Sequence, residues 1–220
     1  MLLRRSINNG RVASAVLALL VFAGCASGGP GKAPDSSAKP RESDVAGGQL
    51  SEVVIPPRVQ TMYEQAAAAM AAGDFLDAEL RFKEFLLQYP DYPGAHVNLA
   101  IIHANNNDNE AAEAALQAAL RLNPNNPAAL NQLGMLLRRN GKFLEAEAAY
   151  LKAVTVNPDY ALAHYNLGVL NELYLQRLDV ALRHFETYQA LAGDDRQVEK
   201  WITDLRRRVA ATQRTANAAD

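Results

Sequence analysis

Residues 127–160 read PAALNQLGMLLRRNGKFLEAEAAYLKAVTVNPDY, and the stretch before them, 93–126, reads PGAHVNLAIIHANNNDNEAAEAALQAALRLNPNN. Laid one over the other, they place Asn123-Pro124 on Asn157-Pro158, Ala112 on Ala146, Leu99 on Leu133 and Ala100 on Gly134. The same step of 34 reaches back to Pro90, Ala78 and Ala66, and forward to Leu167 and Gly168. A period of this length, held in register over several copies, belongs to a helix–turn–helix unit that buries its apolar face by stacking on its neighbours.

Each recurring slot has a physical reason. Ala66, Ala100, Gly134 and Gly168 are small, so the first helix of a unit touches the second closely there. Ala78, Ala112 and Ala146 sit at the opposing contact, and Phe82, Leu116 and Tyr150 fill the larger hole beside them. Proline ends the second helix because it cannot continue the backbone ladder. Gly73-Asp74 and Gly141-Lys142 supply the tight turn inside a unit, and Asn105-Asn106-Asn107-Asp108 does so in the second copy.

With these motifs the chain resembles the tetratricopeptide repeat family over about residues 59–192. The resemblance implies an all-α fold, a right-handed α-solenoid of four helix pairs (59–92, 93–126, 127–160 and 161–193) within a region spanning 58–193. The family's tryptophan slot holds Met62, His96, Leu130 and His164 instead. The fourth copy is irregular: Ala181 and Phe185 come one residue late, and its turn reads Tyr174-Leu175-Gln176-Arg177 without glycine. A capping helix is expected over 194–213, with Val198, Trp201, Ile202, Leu205 and Val209 on one face and Arg206, Arg207 and Arg208 leaving the array. Trp201 is read as a core anchor, with contact to a partner as the alternative. The arginines are read as a solvated face, with an acidic partner or lipid headgroup as the alternative. Residues 214–220 are expected to form a disordered tail.

Carried onto this sequence position by position, the family's concave groove is lined by Asn98, Ile101 and Asn105 from the second copy. Asn131, Gln132, Met135, Arg138 and Arg139 come from the third, and Tyr165, Asn166, Val169 and Glu172 from the fourth. Asn98, Gln132 and Asn166 form a line of amides, each carrying donor and acceptor together. They suit the backbone of a bound peptide, or else bridge neighbouring helices. Arg138 and Arg139 suit a carboxylate. The chaperone-tail clamp of some family members is not supported, because the fifth-position slots hold Val97, Asn131 and Tyr165 and no lysine lines them.

Ahead of the array, Arg4, Arg5 and Arg11 precede an apolar run from Val12 to Ala23, and no acid appears before Asp35. The run is too short to span a bilayer permanently and has the layout of a secretory leader, residues 1–24. It ends in Phe22-Ala23-Gly24-Cys25, which resembles the lipobox of bacterial lipoproteins, with Phe22 where leucine is usual. The resemblance implies acylation of Cys25 and, with Ala26 next, an outer-membrane anchor facing the periplasm. Residues 25–57 then form the lipidated N-terminus and a Gly-, Pro- and Ser-rich tether unable to bury a core. As a flexible coil it spans about 30 Å, and fully extended on the order of 100 Å.

A formal charge of −2 gives no basic field for nucleic acid. The four histidines (His96, His103, His164 and His184) are scattered by the repeat, no metal-binding or phosphate-cradling motif occurs, and the single cysteine is used by lipid. The expectation is therefore a scaffold, not an enzyme, with no cofactor. Its partners are expected to be envelope proteins held in the groove and the membrane held through lipid. Leader, lipobox, tether and array together resemble the pilotin-type lipoproteins of type IV and tight-adherence pilus systems. An adaptor for peptidoglycan hydrolases, or an accessory of a TonB–ExbB–ExbD-like complex, are the other readings.

Overall fold

A computed structural model describes residues 56–217; the leader, Cys25 and the tether ahead of Pro56 lie outside the described residues. Within them the secondary structure is helical: α1 (Pro57–Ala71), α2 (Phe75–Gln88), α3 (Pro93–Asn105), α4 (Asn109–Leu122), α5 (Pro127–Arg139), α6 (Phe143–Val156), α7 (Ala161–Leu173), α8 (Leu178–Ala192) and α9 (Arg196–Asn217). The helix pairs are those the 34-residue period requires. Prolines open α1, α3 and α5, where a missing N–H costs nothing. The first helix begins two residues before the expected repeat. The last runs to Asn217, past the cap boundary expected at residue 213, so part of the expected tail is helix.

The odd-numbered helices touch one another in series (α1 with α3, α3 with α5, α5 with α7), whereas the even-numbered ones do not. Contact on one side only bends the stack, and it places α1, α3, α5 and α7 on the inner face. Ala66, Ala78, Phe82, Ala112, Leu116, Ala146, Tyr150, Ala181 and Phe185 are buried, as the recurring slots demand. A Cβ built on Gly134 would lie 2.5 Å from the Tyr150 ring, and one on Gly168 would lie 2.7 Å from Phe185.

Within each pair the residue before the second helix's N-cap has positive φ: Gly73 (80°), Asn107 (61°), Gly141 (75°) and Gln176 (55°). Asp74 and Asp108 then cap α2 and α4 by accepting from the N–H of Asp77 and Ala111. The fourth turn contains the extra residue, running from Tyr174 to Arg177 where the others have three. The helices on either side keep their register, and Phe185 still reaches Gly168.

α9 closes the array on α8 through Val198, Ile202 and Leu205. Trp201 packs on Phe185, with ring centroids 5.5 Å apart, and is half-buried. The arginine run behaves differently from expectation. Arg206 donates to Glu186 and Arg208 donates to Glu172 on α7, so two of the three turn back onto the array because carboxylates of α7 and α8 lie within reach. Arg207 pairs with Asp204 on its own helix.

Two of the histidines join repeats. A carbonyl only accepts, so Nε2–H of His96 donates to the Pro90 carbonyl and that of His164 to Pro158, each at 3.0 Å. That leaves His164 Nδ1 as an acceptor in the neutral ring, and His184 Nδ1 lies 3.1 Å away as its donor. Burial, His164 and Arg183 together push His184 down to about 4.

Gly134→Ala should lower stability by about 1–2 kcal/mol, because overpacking against the fixed Tyr150 ring outweighs the gain of replacing a helical glycine. The melting temperature should fall by roughly 2–8 °C, and an unchanged or raised value in thermal unfolding contradicts the close contact. The folded His184 binds its proton more weakly than the unfolded chain, whose histidine titrates near 6.5. Stability from this group is therefore complete above pH 6.5 and is lost as pH falls toward 4. Allowing for solvent screening, the loss is on the order of 1–2 kcal/mol. Urea unfolding of His184→Gln at pH 7 and pH 4.5 should show a smaller drop than the parent chain, and equal drops count against the assignment.

Candidate binding groove

The inner face is built from the sides of α1, α3, α5 and α7 that face away from the even-numbered helices. Ala67, Ile101, Met135 and Val169 stand one per helix at 34-residue steps, each half-buried and each packed against the core beneath. They make one apolar row across all four units.

The expected line of amides lies beside this row, and two of its members are occupied within the chain. Asn98 donates to the Tyr63 hydroxyl at 2.8 Å, and Asn166 donates to Asn131 Oδ1 at 2.9 Å. Both bonds join residues 35 apart, one position beyond the repeat, because side chains of neighbouring helices meet at that offset. Asn131 is 1% exposed and Asn166 is 7% exposed, so this pair is a buried strut between α5 and α7 and not a surface for a ligand. Tyr63, beneath Asn98, is pushed up to about 12, chiefly by burial. At the same offset from Gln132 stands Val97, which has no polar side-chain group; Gln132 makes no such bond and is half-buried. Of the three amides it alone stays available.

The two groove arginines divide in the same way. Arg139 donates through Nη1 to the Ala104 carbonyl at 2.7 Å and through Nη2 to Asn107 Oδ1 at 3.0 Å. It therefore ties the end of α3 and the second turn to α5, and is spent. Arg138 has no ion pair among the described residues; its guanidinium carbon lies 5.9 Å from the Tyr174 ring centroid. Glu172 is held by Arg208 at 2.8 Å. Asn105 is exposed at the rim.

Tyr165 forms the far end of the groove. Its ring meets Tyr188 at 5.2 Å and Trp201 at 6.1 Å. Its hydroxyl is raised by burial and then by the nearby Asp195, which also caps α9 by accepting from the Gln197 and Val198 N–H groups. Trp201 follows Tyr165 by 36 residues, the offset of 35 plus the extra residue of the fourth turn. Arg208 follows Glu172 by the same 36. α9 thus sits, at the level of side chains, as the first helix of an unfinished fifth unit.

Sequence reasoning gave bridging of neighbouring helices as the alternative for the amides, and Asn98 and Asn166 take it; it missed the commitment of Arg139 and the pairing of His164 with His184. The 35-residue offset was the signal available: Tyr63 with Asn98 and Asn131 with Asn166 are polar pairs at that spacing. Among the described residues no three of His, Cys, Asp and Glu gather to hold a metal ion, and no helix is long and apolar enough to cross a membrane.

Comparison with known proteins agrees with this geometry. Tetratricopeptide repeat models match residues 63–127 and 115–148, and a TPR repeat model matches 134–173. No curated protein matches. Among solved structures, the chain is similar to PilF of Pseudomonas aeruginosa at 23% identity and a TM-score of 0.62, over 70% of this chain and 72% of that one. It is similar to yeast Tom70 at 24% identity and a TM-score of 0.60, over 72% of this chain and 34% of that one. A third is the first TPR domain of Spaghetti (RPAP3) bound to an HSP90 peptide, at 19% identity and a TM-score of 0.50, over 54% of this chain and 95% of that one. The four helix pairs, their small-residue contacts and the matching models make this chain a member of the tetratricopeptide repeat family.

Proposed function

We propose that this chain is a lipid-anchored adaptor of the bacterial envelope whose concave groove holds a segment of a partner protein during assembly of a pilus or secretion machine. The observation that carries the binding half is the apolar row of Ala67, Ile101, Met135 and Val169, which crosses every unit and stays partly exposed. Such a row suits the apolar side of an extended or helical segment, and Gln132 beside it offers a donor and an acceptor to that segment's backbone. A protein of the same fold, Spaghetti, binds a peptide.

The anchoring half rests on the leader ending at Cys25 and on the tether that follows. More than one acyl chain holds a protein on a bilayer stably, and the tether lets the array work well away from the surface. The pilus direction rests on the resemblance to pilotin-type lipoproteins, and the fold shared with PilF supports its array half.

Metabolic labelling with a fatty-acid analogue should mark the chain in cells and fail to mark Cys25→Ser; label persisting in the variant removes the anchor. Affinity capture from solubilised envelopes should recover at least tenfold less partner with Ile101→Glu or Met135→Glu than with Gln117→Glu, which changes the exposed outer side of α4. Equal recovery from all three variants removes the groove.

A further inference from the structure

The fourth turn carries one more residue than the others, and its side chains differ in kind from theirs. Tyr174 occupies the place of Ala72, Asn106 and Asn140 in the preceding turns. Its ring packs on Phe143 at 4.5 Å, with the planes 33° apart, and remains 43% exposed. Arg138 lies over that ring at 5.9 Å. Arg177, from the same turn, takes Glu147 with contacts of 2.8 and 3.0 Å, and Arg208 takes Glu172. The carboxylates on α6 and α7 that look toward this side are thereby engaged, and Arg138 is left without an acid.

Below Arg138 the structure holds two unmet polar atoms. Tyr150 is fully buried, and its hydroxyl has no hydrogen-bond partner; Arg138 Nε is buried and has none either. The guanidinium is close enough to act on the Tyr150 hydroxyl, lowering it against a burial effect that pushes it up to about 12. That lowering includes a side-chain hydrogen bond from Arg138, at a geometry short of a close bond. A buried guanidinium N–H and a buried hydroxyl left open together cost more than a surface arginine would. Tyr150 is out of a ligand's reach, so what is left for one is the outer edge of the half-buried Arg138 side chain.

We infer that Arg138, seated between Tyr174 and Tyr150, is an anion subsite at the turn edge of the groove, which takes a carboxylate side chain of the bound segment. The inference rests on the groove reading above and adds that the segment carries an acid. A planar guanidinium held over an aromatic ring by a cation–π contact loses part of its freedom before binding and presents paired N–H donors to two carboxylate oxygens. Tyr174 is a positioning residue in this scheme, since it acts through Arg138. Lysine at 138 keeps the charge but neither stacks nor forks.

The test uses the full chain in detergent, labelled with 15N-arginine and methyl-labelled isoleucine, with two peptides as probes: Ac-Ala-Leu-Glu-Ala-Leu-NH2 and the same peptide with Gln for Glu. The Arg138 Nε–H resonance should shift saturably with the Glu peptide, and at least fivefold more weakly with the Gln peptide. Tyr174→Phe should keep this discrimination, whereas Tyr174→Ala, with its folding checked by far-UV circular dichroism, and Arg138→Lys should reduce the apparent affinity difference to less than twofold. If the Ile101 methyl signal moves equally with both peptides and Arg138 is unaffected, the groove reading stands and the subsite is overturned. If neither signal moves, or Tyr174→Ala discriminates as well as the parent chain, the subsite is overturned as well.

Discussion

The close approach of the two helices in each unit is the constraint on which the other features depend. At Gly134 and Gly168 the second helix lays an aromatic ring directly on the backbone of the first, with no room for a methyl group. This holds the odd-numbered helices against the even-numbered ones while they also touch one another in series. A stack with contact along one side only must curve toward that side. The groove is therefore a consequence of packing at the small-residue slots, and it would flatten if those helices moved apart.

A second regularity follows from the first. Helices packed this way bring side chains together at an offset of 35 residues, one more than the repeat. That offset decides which polar groups on the inner face are consumed. Tyr63 meets Asn98, Asn131 meets Asn166, and Ala104 receives Arg139. Buried amides that satisfy each other stiffen the array and offer little to a ligand. What remains for recognition is what no bond at that offset consumes: the apolar row, Gln132 and Arg138.

This explains how much the sequence disclosed. The helix pairs, their order and the boundaries at residues 93, 127 and 161 were legible because they repeat, and repetition averages out the ambiguity of any single helix. The same recurrence puts one face of each first helix in register across the units. The depth of each side chain on that face was not legible. Asn131 and Gln132 are adjacent amides on one helix, yet one is 1% exposed and the other is half-buried, because only Asn131 meets a second amide one repeat on. The fate of Arg206 and Arg208 was equally hidden, since it depends on Glu186 and Glu172 lying across a helix interface. His184 gave no sign of its role, because its partner is 20 residues away on a helix that the period places but does not rotate.

The extra residue of the fourth repeat shows why an array keeps its irregularities in turns. Inside α7 or α8 one added residue rotates everything beyond it by about 100°. Phe185 would then leave Gly168, at a cost of roughly 3–5 kcal/mol for a buried aromatic. In the turn, the cost is a glutamine held at φ 55°, on the order of 1–2 kcal/mol. The smaller cost is the one observed, and it is partly offset by Arg177 pairing with the largely buried Glu147 side chain. Because the helices are undisturbed, the turn is free to carry side chains that serve the groove. Tyr174 takes that freedom beside Arg138, a groove arginine that makes no ion pair among the described residues.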